Sequence, residues 1–472
     1  MHRLLFIAVP LVAGCTLHEV TPDPMPPATM PAAFPSESAP AVEDAWWLEF
    51  GDDQLDGLIA QALEQNLSAR DFAARLVAAR ARTRQAGAVR RPLVDGVGSA
   101  GWTFGGDGGL DSETFDNAEF GSSVGVAASW ELDLFGRLRS AQDAAVADAS
   151  AAANDLEAVR LAVAADVATA YFRSTEQRLL LELLDDQLER DRTLLELIEL
   201  RFAVGNATSA DLLRQRAQVS DVAALVPPAQ AELRRAENAL DALLGRAADG
   251  GDVAGDRLAD FPTVAAVGVP SDLLTRRPDL RAAQDRLLAA DYRIGVAVAD
   301  RLPRVTLVGT LGYADNAMGS GVAGSLLGDL VAPLVDWGLR EAVVVEREAE
   351  YASLLAAYGD AFVTAVAEVD SLLFAERRQR ERVDALADRV DALESAVAEI
   401  RARYAGGQGD YLDVLTALED LQDTQRELLA ERRNLVQLRI DLHRAAGGGL
   451  GTALPTEPLD PTATTSNSTN AS

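Results

Sequence analysis

Residues 382–410 read RVDALADRVDALESAVAEIRARYAGGQGD. In this stretch Val383, Leu386, Val390, Leu393, Val397, Ile400 and Tyr404 recur at alternating steps of three and four. An a/d seam kept for about three heptads belongs to a helix wound against another helix. The turn Ala405-Gly406-Gly407-Gln408-Gly409-Asp410 ends it, and no proline interrupts the chain back to Gly338. At ~1.5 Å per residue the arm is on the order of 100 Å long, too long for a compact core.

The arm occurs twice. Subtracting 202 from each seam position gives Leu181, Leu184, Leu188, Asp191, Leu195, Ile198 and Phe202, apolar at all but Asp191. Arg201/Arg403, Gly205/Gly407, Asp211/Asp413, Gly245/Gly447 and Gly136/Gly338 keep the same offset. Matching turn glycines at both ends of the arm indicate an internal repeat rather than chance alignment of Ala/Leu-rich helices.

The 472 residues carry a net charge of −30, and every basic residue besides the three histidines is Arg. So acidic a chain argues against a nucleic-acid partner and against a polybasic membrane contact. An acidic solvated surface and an acidic passage for cationic cargo both fit that charge. The single cysteine, Cys15, excludes an intrachain disulfide and a cysteine metal cluster. His2, His18 and His443 are scattered, with His18 expected in a flexible segment, so no metal site is expected. No nucleophile elbow, phosphate loop or dinucleotide fingerprint is present, and no enzyme is expected.

Residues 1–14 read as a signal peptide: Arg3, the apolar run Leu4–Val12, then small residues. Residues 15–45, rich in Pro, Ala and Ser, are expected to form an extended tether. A helix is expected from Asn66 to Arg91, stopped by Pro92. The period then changes to two. Val94, Gly96, Gly98, Ala100, Trp102 and Phe104 share one face, and after a Gly-rich loop so do Val124, Val126, Ala128, Trp130 and Leu132. Alternating strands of about ten residues with aromatics near their ends have the form of membrane-barrel strands, though a soluble hairpin would read alike.

Arg75, Pro92, Val94, Gly98, Gly101 and Trp102 match Arg286, Pro303, Val305, Gly309, Gly312 and Tyr313 at an offset of 211. The second hairpin thus starts on the face Val305, Leu307, Gly309, Leu311 and Tyr313 and returns near Val322 to Val335. The boundaries are a first repeat over 46–245 (hairpin about 93–134, helical hairpin about 137–245) and a linker over 246–270. A second repeat follows over 271–447 (hairpin about 304–335, helical hairpin about 338–446), with a disordered tail over 448–472. Return helices are expected over Ala207–Leu244 and Gly409–Ala446, each stacked end to end with the short helix before a hairpin. The fold class is α+β, mainly α.

Two hairpins supply four strands, and an open edge is not tolerated in hydrocarbon. Bacterial barrels begin at about eight strands. If the strands enter a membrane, several copies must share one barrel and their arms must form one helical tube.

The chain resembles the TolC-like outer-membrane efflux channels, in particular the lipoprotein branch (NodT/OprM-like) that serves resistance-nodulation-division pumps. The resemblance runs from Trp46 to Gly449. Its motifs are Leu55-x-x-Leu58-Ile59-x-x-Ala62-Leu63-x-x-Asn66, Trp130-Glu131-Leu132-Asp133-Leu134-Phe135-Gly136-Arg137, Ala170-Tyr171-Phe172, Arg201-Phe202-x-x-Gly205, Leu273-Leu274-x-Arg276-Arg277-Pro278-Asp279-Leu280, Ile294-Gly295-Val296-Ala297 and Tyr411-Leu412-Asp413-Val414-Leu415. Leu11-Val12-Ala13-Gly14-Cys15 is similar to a lipobox, with Cys15 acylated and Thr16 consistent with sorting to the outer membrane.

The resemblance implies a homotrimer with a 12-stranded transmembrane β-barrel above a long periplasmic α-helical barrel. It implies no cofactor beyond the lipid on Cys15, and passive export of drugs or other small molecules. A periplasmic adaptor would dock at the tips, Val204, Gly205, Asn206, Gly406 and Gly407, and an inner-membrane transporter would deliver the cargo. A gate is implied at Leu412 and Asp413; the family's second acidic position is Thr416 here, and Asp410 is a candidate substitute. The alternative reading of Asp413 is an ordinary solvent-facing residue of a helix N-terminus, favoured there by the helix dipole. Metal-ion efflux or type I protein secretion would use the same scaffold, and a structural periplasmic coiled-coil lipoprotein would need no alternating strands.

Overall fold

The computed structural model describes residues 18–36, 45–103, 119–248, 255–261, 267–316 and 319–449. The chain divides into two compact units: Met1–Pro27 with Arg75–Ala153 and Ala282–Gly359, and Ala28–Ala74 with Asn154–Arg281 and Asp360–Ser472. In order, the elements are α1 (Asp53–Gln65), α2 (Leu67–Val89), β1 (Leu93–Thr103), β2 (Glu119–Leu132), α3 (Arg137–Ala203) and α4 (Ser209–Leu243). After a one-turn helix at Leu273–Arg276 come α5 (Pro278–Ala299), β3 (Arg304–Asn316), β4 (Gly319–Val331), α6 (Leu339–Ala405) and α7 (Tyr411–Ala445).

The repeat is kept to the residue. The long arms α3 and α6 have 67 residues each, and α4 and α7 have 35 each. The reason lies in the stops. Gly205, Gly245, Gly407 and Gly447 have φ of 79°, 73°, 73° and 72°, in the left-handed region that favours glycine. Around Gly205 the cap bonds are Gly205 N–H to Phe202 O, 3.0 Å, and Asn206 N–H to Arg201 O, 2.7 Å. Gly407 and Gln408 repeat them onto Tyr404 and Arg403, at 3.0 and 2.9 Å. The return helices start two residues later than expected because Thr208 and Asp410 stand outside them as N-caps.

End-to-end stacking of the return helices on the short ones is visible at two equivalent joints. The Asn66 side-chain amide donates to Leu243 O, 2.9 Å, while its Oδ1 accepts from Ser68 and Ala69 and so caps α2. At the matching place Arg277 Nη1 donates to Ala445 O, 3.0 Å, and to Glu368, 2.9 Å. Asn66 therefore caps α2 rather than opening it, and two helices occupy residues 53–89.

The four strands form one antiparallel sheet in the order β1-β2-β3-β4. Its register places Trp102 opposite Phe120, Val124 opposite Tyr313 and Leu311 opposite Gly324, so one face is apolar across all four strands. Val94, Val124, Val126, Leu326 and Leu330 on that face are exposed, the inverse of a soluble sheet. The other face carries Asp95, Ser99, Ser123, Glu131, Thr310 and Ser325, with hydroxyl pairs Ser99–Ser123 and Thr310–Ser325 at 2.8 Å. β4 ends at Val331 rather than near Val335, because Pro333 supplies no donor to a ladder. Phe104 and the loop after it lie outside the described residues.

The Trp130–Arg137 motif turns strand into helix. Asp133 accepts the N–H groups of Leu138 and Arg139, Glu131 holds Arg137 at 2.7 Å, and Gly136 takes φ 77°. The main core of the second unit gathers Trp46, Trp47, Phe50, Leu55, Ile59, Tyr171, Phe172, Leu240 and Ile440. Into it Arg439 is fully buried between Glu376 and Glu49, over the ring of Phe261 at 4.5 Å. Burial alone would raise the Glu49 carboxyl, but bonds from His443 (2.6 Å) and Arg439 (2.5 Å) outweigh it and hold it low.

The expected tether is extended but not free. His18 Nε2 lies 2.5 Å from Asp291, whose other oxygen accepts Thr21 N–H at 2.9 Å. Further along, Phe34 is buried and Ser36 N–H donates to Asp370, 2.8 Å. Carboxylates on the helices thus hold the segment that composition alone would leave flexible. Cys15 and the tail beyond Gly449 lie outside the described residues. α4 also runs through Pro227 and Pro228, which the expected helix passed over. Both prolines are exposed, so water can take the place of the donors that the carbonyls of Ala223 and Ala224 lose.

Gly125 and Gly312 face each other where β2 meets β3, and a Cβ on Gly125 would stand 2.7 Å from Leu311 O. Gly125→Val is expected to part the two hairpins and abolish sheet assembly; strand content by infrared spectroscopy of the membrane fraction, unchanged from wild type, would refute this close approach.

Candidate functional site

The α3–α4 and α6–α7 turns carry the residues expected to form the tips and the gate. All seven positions of the quoted seam enter one apolar cluster there, with Leu194, Ile198, Tyr411, Val414, Leu415, Leu418 and Leu421. The first-copy seam departs from its reading beyond Asp191. Leu194 is buried, Leu195 half-buried and Phe202 43% exposed. Here α3 packs against the second copy, and Leu194 and Ile198 face that partner.

The two turns are joined through side chains. Arg201 lies over the Tyr404 ring, 4.3 Å from its centroid, and donates to Tyr404 O at 3.3 Å. Tyr404 meets Tyr411 at 6.1 Å, and the Tyr411 hydroxyl donates to Gln215 Oε1 at 2.6 Å. Burial and the neighbouring Asp211 push the Tyr411 hydroxyl well above its ordinary pKa, so it stays protonated as a donor.

Sequence equivalents have diverged at these turns. In the first copy Thr208 and Asp211 form a reciprocal capping box. In the second, Asp410 is the N-cap, its carboxylate accepting Leu412 N–H at 3.3 Å, and Asp413 occupies the first turn. Asp410 therefore already has a local role. Leu412, Asp413 and Thr416 are all exposed, on the side of α7 opposite the buried Val414, Leu415 and Leu418. Among the tip residues Val204 is 70% exposed, and Gly205, Asn206, Gly406 and Gly407 are exposed as well. Leu200, Phe202 and Leu213 add apolar surface to the first turn, where the second copy has Ala402 and the buried Tyr404 and Leu415.

A buried polar layer sits above the tips. Asp191 is fully buried, with Oδ2 accepting from Gln422 Nε2 at 3.1 Å and its backbone oxygen from Gln215 Nε2 at 2.9 Å. Gln218 donates to Gln422 Oε1 at 2.9 Å, and Asp191 Oδ1 has no hydrogen-bond partner. Asp191 was legible as the one break in the seam, but the glutamines around it were not, since Gln occurs as readily on a solvated face. Burial raises the Asp191 carboxyl above its usual range, against the lowering effect of the amide donors and Arg426. Among the described residues no group of His, Cys, Asp and Glu is arranged to hold a metal ion.

Comparison with known proteins places this geometry. The family described as "Outer membrane efflux protein" matches residues 58–246 and 269–448, and the chain belongs to that family. It is 30% identical over 465 residues to the pyoverdine export outer membrane protein OpmQ of Pseudomonas putida, covering 96% of this chain and 98% of that protein. It is 31% identical over 471 residues to the toluene efflux pump outer membrane protein TtgF of P. putida, covering 95% and 97%. The solved outer-membrane channel OprN superposes with a TM-score of 0.82 at 28% identity, over 93% of this chain and all of that one. VceC from Vibrio cholerae gives 0.78 at 29%, over 86% and 98%. The expected TolC-like fold, mainly α with a small antiparallel sheet, is thereby established, and so is the class: an outer-membrane component of an efflux system with a periplasmic extension.

A carboxyl whose pKa is raised on folding keeps its proton over a pH range in which the unfolded chain has already ionised, so stability is lost as pH rises from the unfolded to the folded pKa. Asp191→Asn is therefore expected to be more stable than the parent at about pH 8, by roughly 1 kcal/mol, with the gain vanishing near pH 4. Thermal melts across that range check it; a pH-independent difference would contradict the assignment.

Proposed function

We propose that three copies of this chain close a 12-stranded barrel in the outer membrane and exports small organic molecules passively through the helical tube below it. The observation that carries the reading is the four-stranded sheet, with an exposed apolar face and both edges, β1 and β4, open. Unpaired backbone groups are not tolerated in hydrocarbon, so the edges must be joined by further copies. Three times four strands gives a barrel within the known size range.

Dimensions support the span. From Phe120 to Trp130 is ten steps, or ~33 Å of strand. At a tilt of about 40° that is roughly 25 Å, the height of an apolar band between two aromatic girdles. Beside the β4 edge, Leu334, Val335, Trp337 and Leu339 are 64–95% exposed, a surface suited to the next copy. Trp337, the one non-glycine residue with positive φ among those described (55°), lies in this patch. On α6, Val345, Leu354 and Val363 are exposed too. Composition alone would let this helix cross a membrane, but at 67 residues its apolar face fits a seam between copies better.

Acylation at Cys15 would tether the chain to the same membrane. The apolar first turn (Leu200, Phe202, Val204, Gly205, Asn206, Leu213), with Gly406 and Gly407, would receive a periplasmic adaptor linked to an inner-membrane transporter of the resistance-nodulation-division type. The toluene and pyoverdine named for the relatives support small organic cargo rather than metal ions or proteins. Exposure of Leu412 and Asp413 on one side of α7 supports a constriction in which symmetry brings equivalent carboxylates together. Such carboxylates repel unless protonated, hydrated or bridged by cations.

Asp413→Ala is accordingly expected to raise single-channel conductance at low voltage severalfold and to relieve block by divalent cations. Planar-bilayer recordings giving unchanged conductance and unchanged block would remove Asp413 from the gate.

A further inference from the structure

Between Asp71 and Asp95 the chain holds six arginines (Arg75, Arg80, Arg82, Arg84, Arg90, Arg91) and no acidic residue, in a protein of net charge −30. The duplicated segment is the internal control. At the offset of 211 it replaces Arg80 by Asp291, Arg84 by Gly295 and Arg91 by Leu302, and Arg293, the counterpart of Arg82, pairs with Asp148 at 2.5 Å. In the first copy, Arg84, Arg90 and Arg91 meet no carboxylate within 4.0 Å among the described residues. They line a cleft of about 890 Å³ with Thr83, Pro92 and Gln142. The Arg90 guanidinium is held toward it by Gln142 Oε1, 2.8 Å away.

The level of the cleft is set by the strands. Arg90 and Arg91 directly precede β1, and the Trp130 indole, on the apolar face, donates to Arg90 O at 3.0 Å. Indole rings settle at the boundary of hydrocarbon and headgroups. The arginines therefore lie just outside the apolar band, on the side from which the helices extend. Guanidinium forks match phosphate oxygens bidentately, and basic pockets at this level bind anionic headgroups.

We propose that the cleft of Arg84, Arg90 and Arg91 binds the phosphodiester headgroup of an anionic phospholipid in the periplasmic leaflet. The proposal rests on the membrane-inserted reading above. A carboxylate of the neighbouring copy, which would border the open β1 edge, is the competing occupant. A free phosphate ion offers the same chemistry from solution.

The test uses the full-length protein extracted into lipid nanodiscs, with bound lipid counted by native mass spectrometry. Wild type is expected to retain phosphatidylglycerol in preference to phosphatidylcholine, and inorganic phosphate should not displace it. R84Q/R90Q/R91Q should lower that retention by roughly tenfold or more, with the oligomer intact. R84K/R90K/R91K should keep most of it, and the control R389Q/R401Q on α6 should change nothing. Equal retention in the triple Gln variant, displacement by phosphate, or dissociation of the oligomer in that variant alone would each overturn the site. Failure of the wild type to insert or conduct would instead strike the channel reading.

Discussion

An unpaired backbone N–H or C=O in hydrocarbon costs several kcal/mol, and the sheet of this protein leaves a whole edge of them on β1 and another on β4. Most other features follow from that constraint. A protomer with such edges cannot rest in a bilayer alone, so its assembly surface is dictated by the strand ladder. In the proposed assembly the apolar patch from Leu334 to Leu339 and the exposed valines of α6 would extend that surface along the helices. In a soluble protein the same exposed apolar area would be an aggregation hazard; in the proposed assembly it lies where further copies would pack.

The duplication supplies a second organising rule, and the places where the copies part are the places with chemistry. Helix lengths and left-handed glycine caps coincide to the residue, because a shift at either end would misplace the interdigitated seam along its whole length. Against that fixed frame the substitutions stand out. Asp191 answers to Leu393, the Thr208–Asp211 capping box to Asp410 and Asp413, Arg80 to Asp291, and Pro227-Pro228 to Leu429-Ala430. Each pair keeps its place in the repeat and changes what the side chain offers, and at Pro227-Pro228 the backbone donors as well.

Periodicity made the architecture legible. The 202 offset, the switch from helical to alternating spacing and the turn glycines located the repeats and the hairpins, because each is a local signal with one physical cause. The seam of the second copy was read correctly at all seven positions. The first-copy seam was misread at Leu195 and Phe202, since beyond Asp191 α3 turns its contacts to the other copy, which no local period records. His18 and the tether segment around Ser36 looked free for the same reason: their partners, Asp291 and Asp370, lie 273 and 334 residues away. At the tips the glycines and Asp413 were visible by position, whereas the Arg201–Tyr404–Tyr411–Gln215 chain required knowing which helices touch.

The polar layer around Asp191 bears on how firmly the long helices hold together along their length. Parting an apolar seam exposes surface at a cost of about 25 cal/mol per Å², whereas amide and carboxylate groups regain most of their hydrogen-bond energy from water. Asp191, Gln215 and Gln218, bonded to Gln422 of α7, interrupt the packing of α3 and α4 between Leu194 and the seam of Leu184, Leu188, Val222 and Ala229, while the α6–α7 seam continues past them to Val383 and Leu428. Hydrating that layer costs less than hydrating leucines in its place, and its directional bonds still fix the register of α3, α4 and α7 when dry. The polar break in the first seam is therefore the level at which the contact of α3 with α7 is least costly to wet.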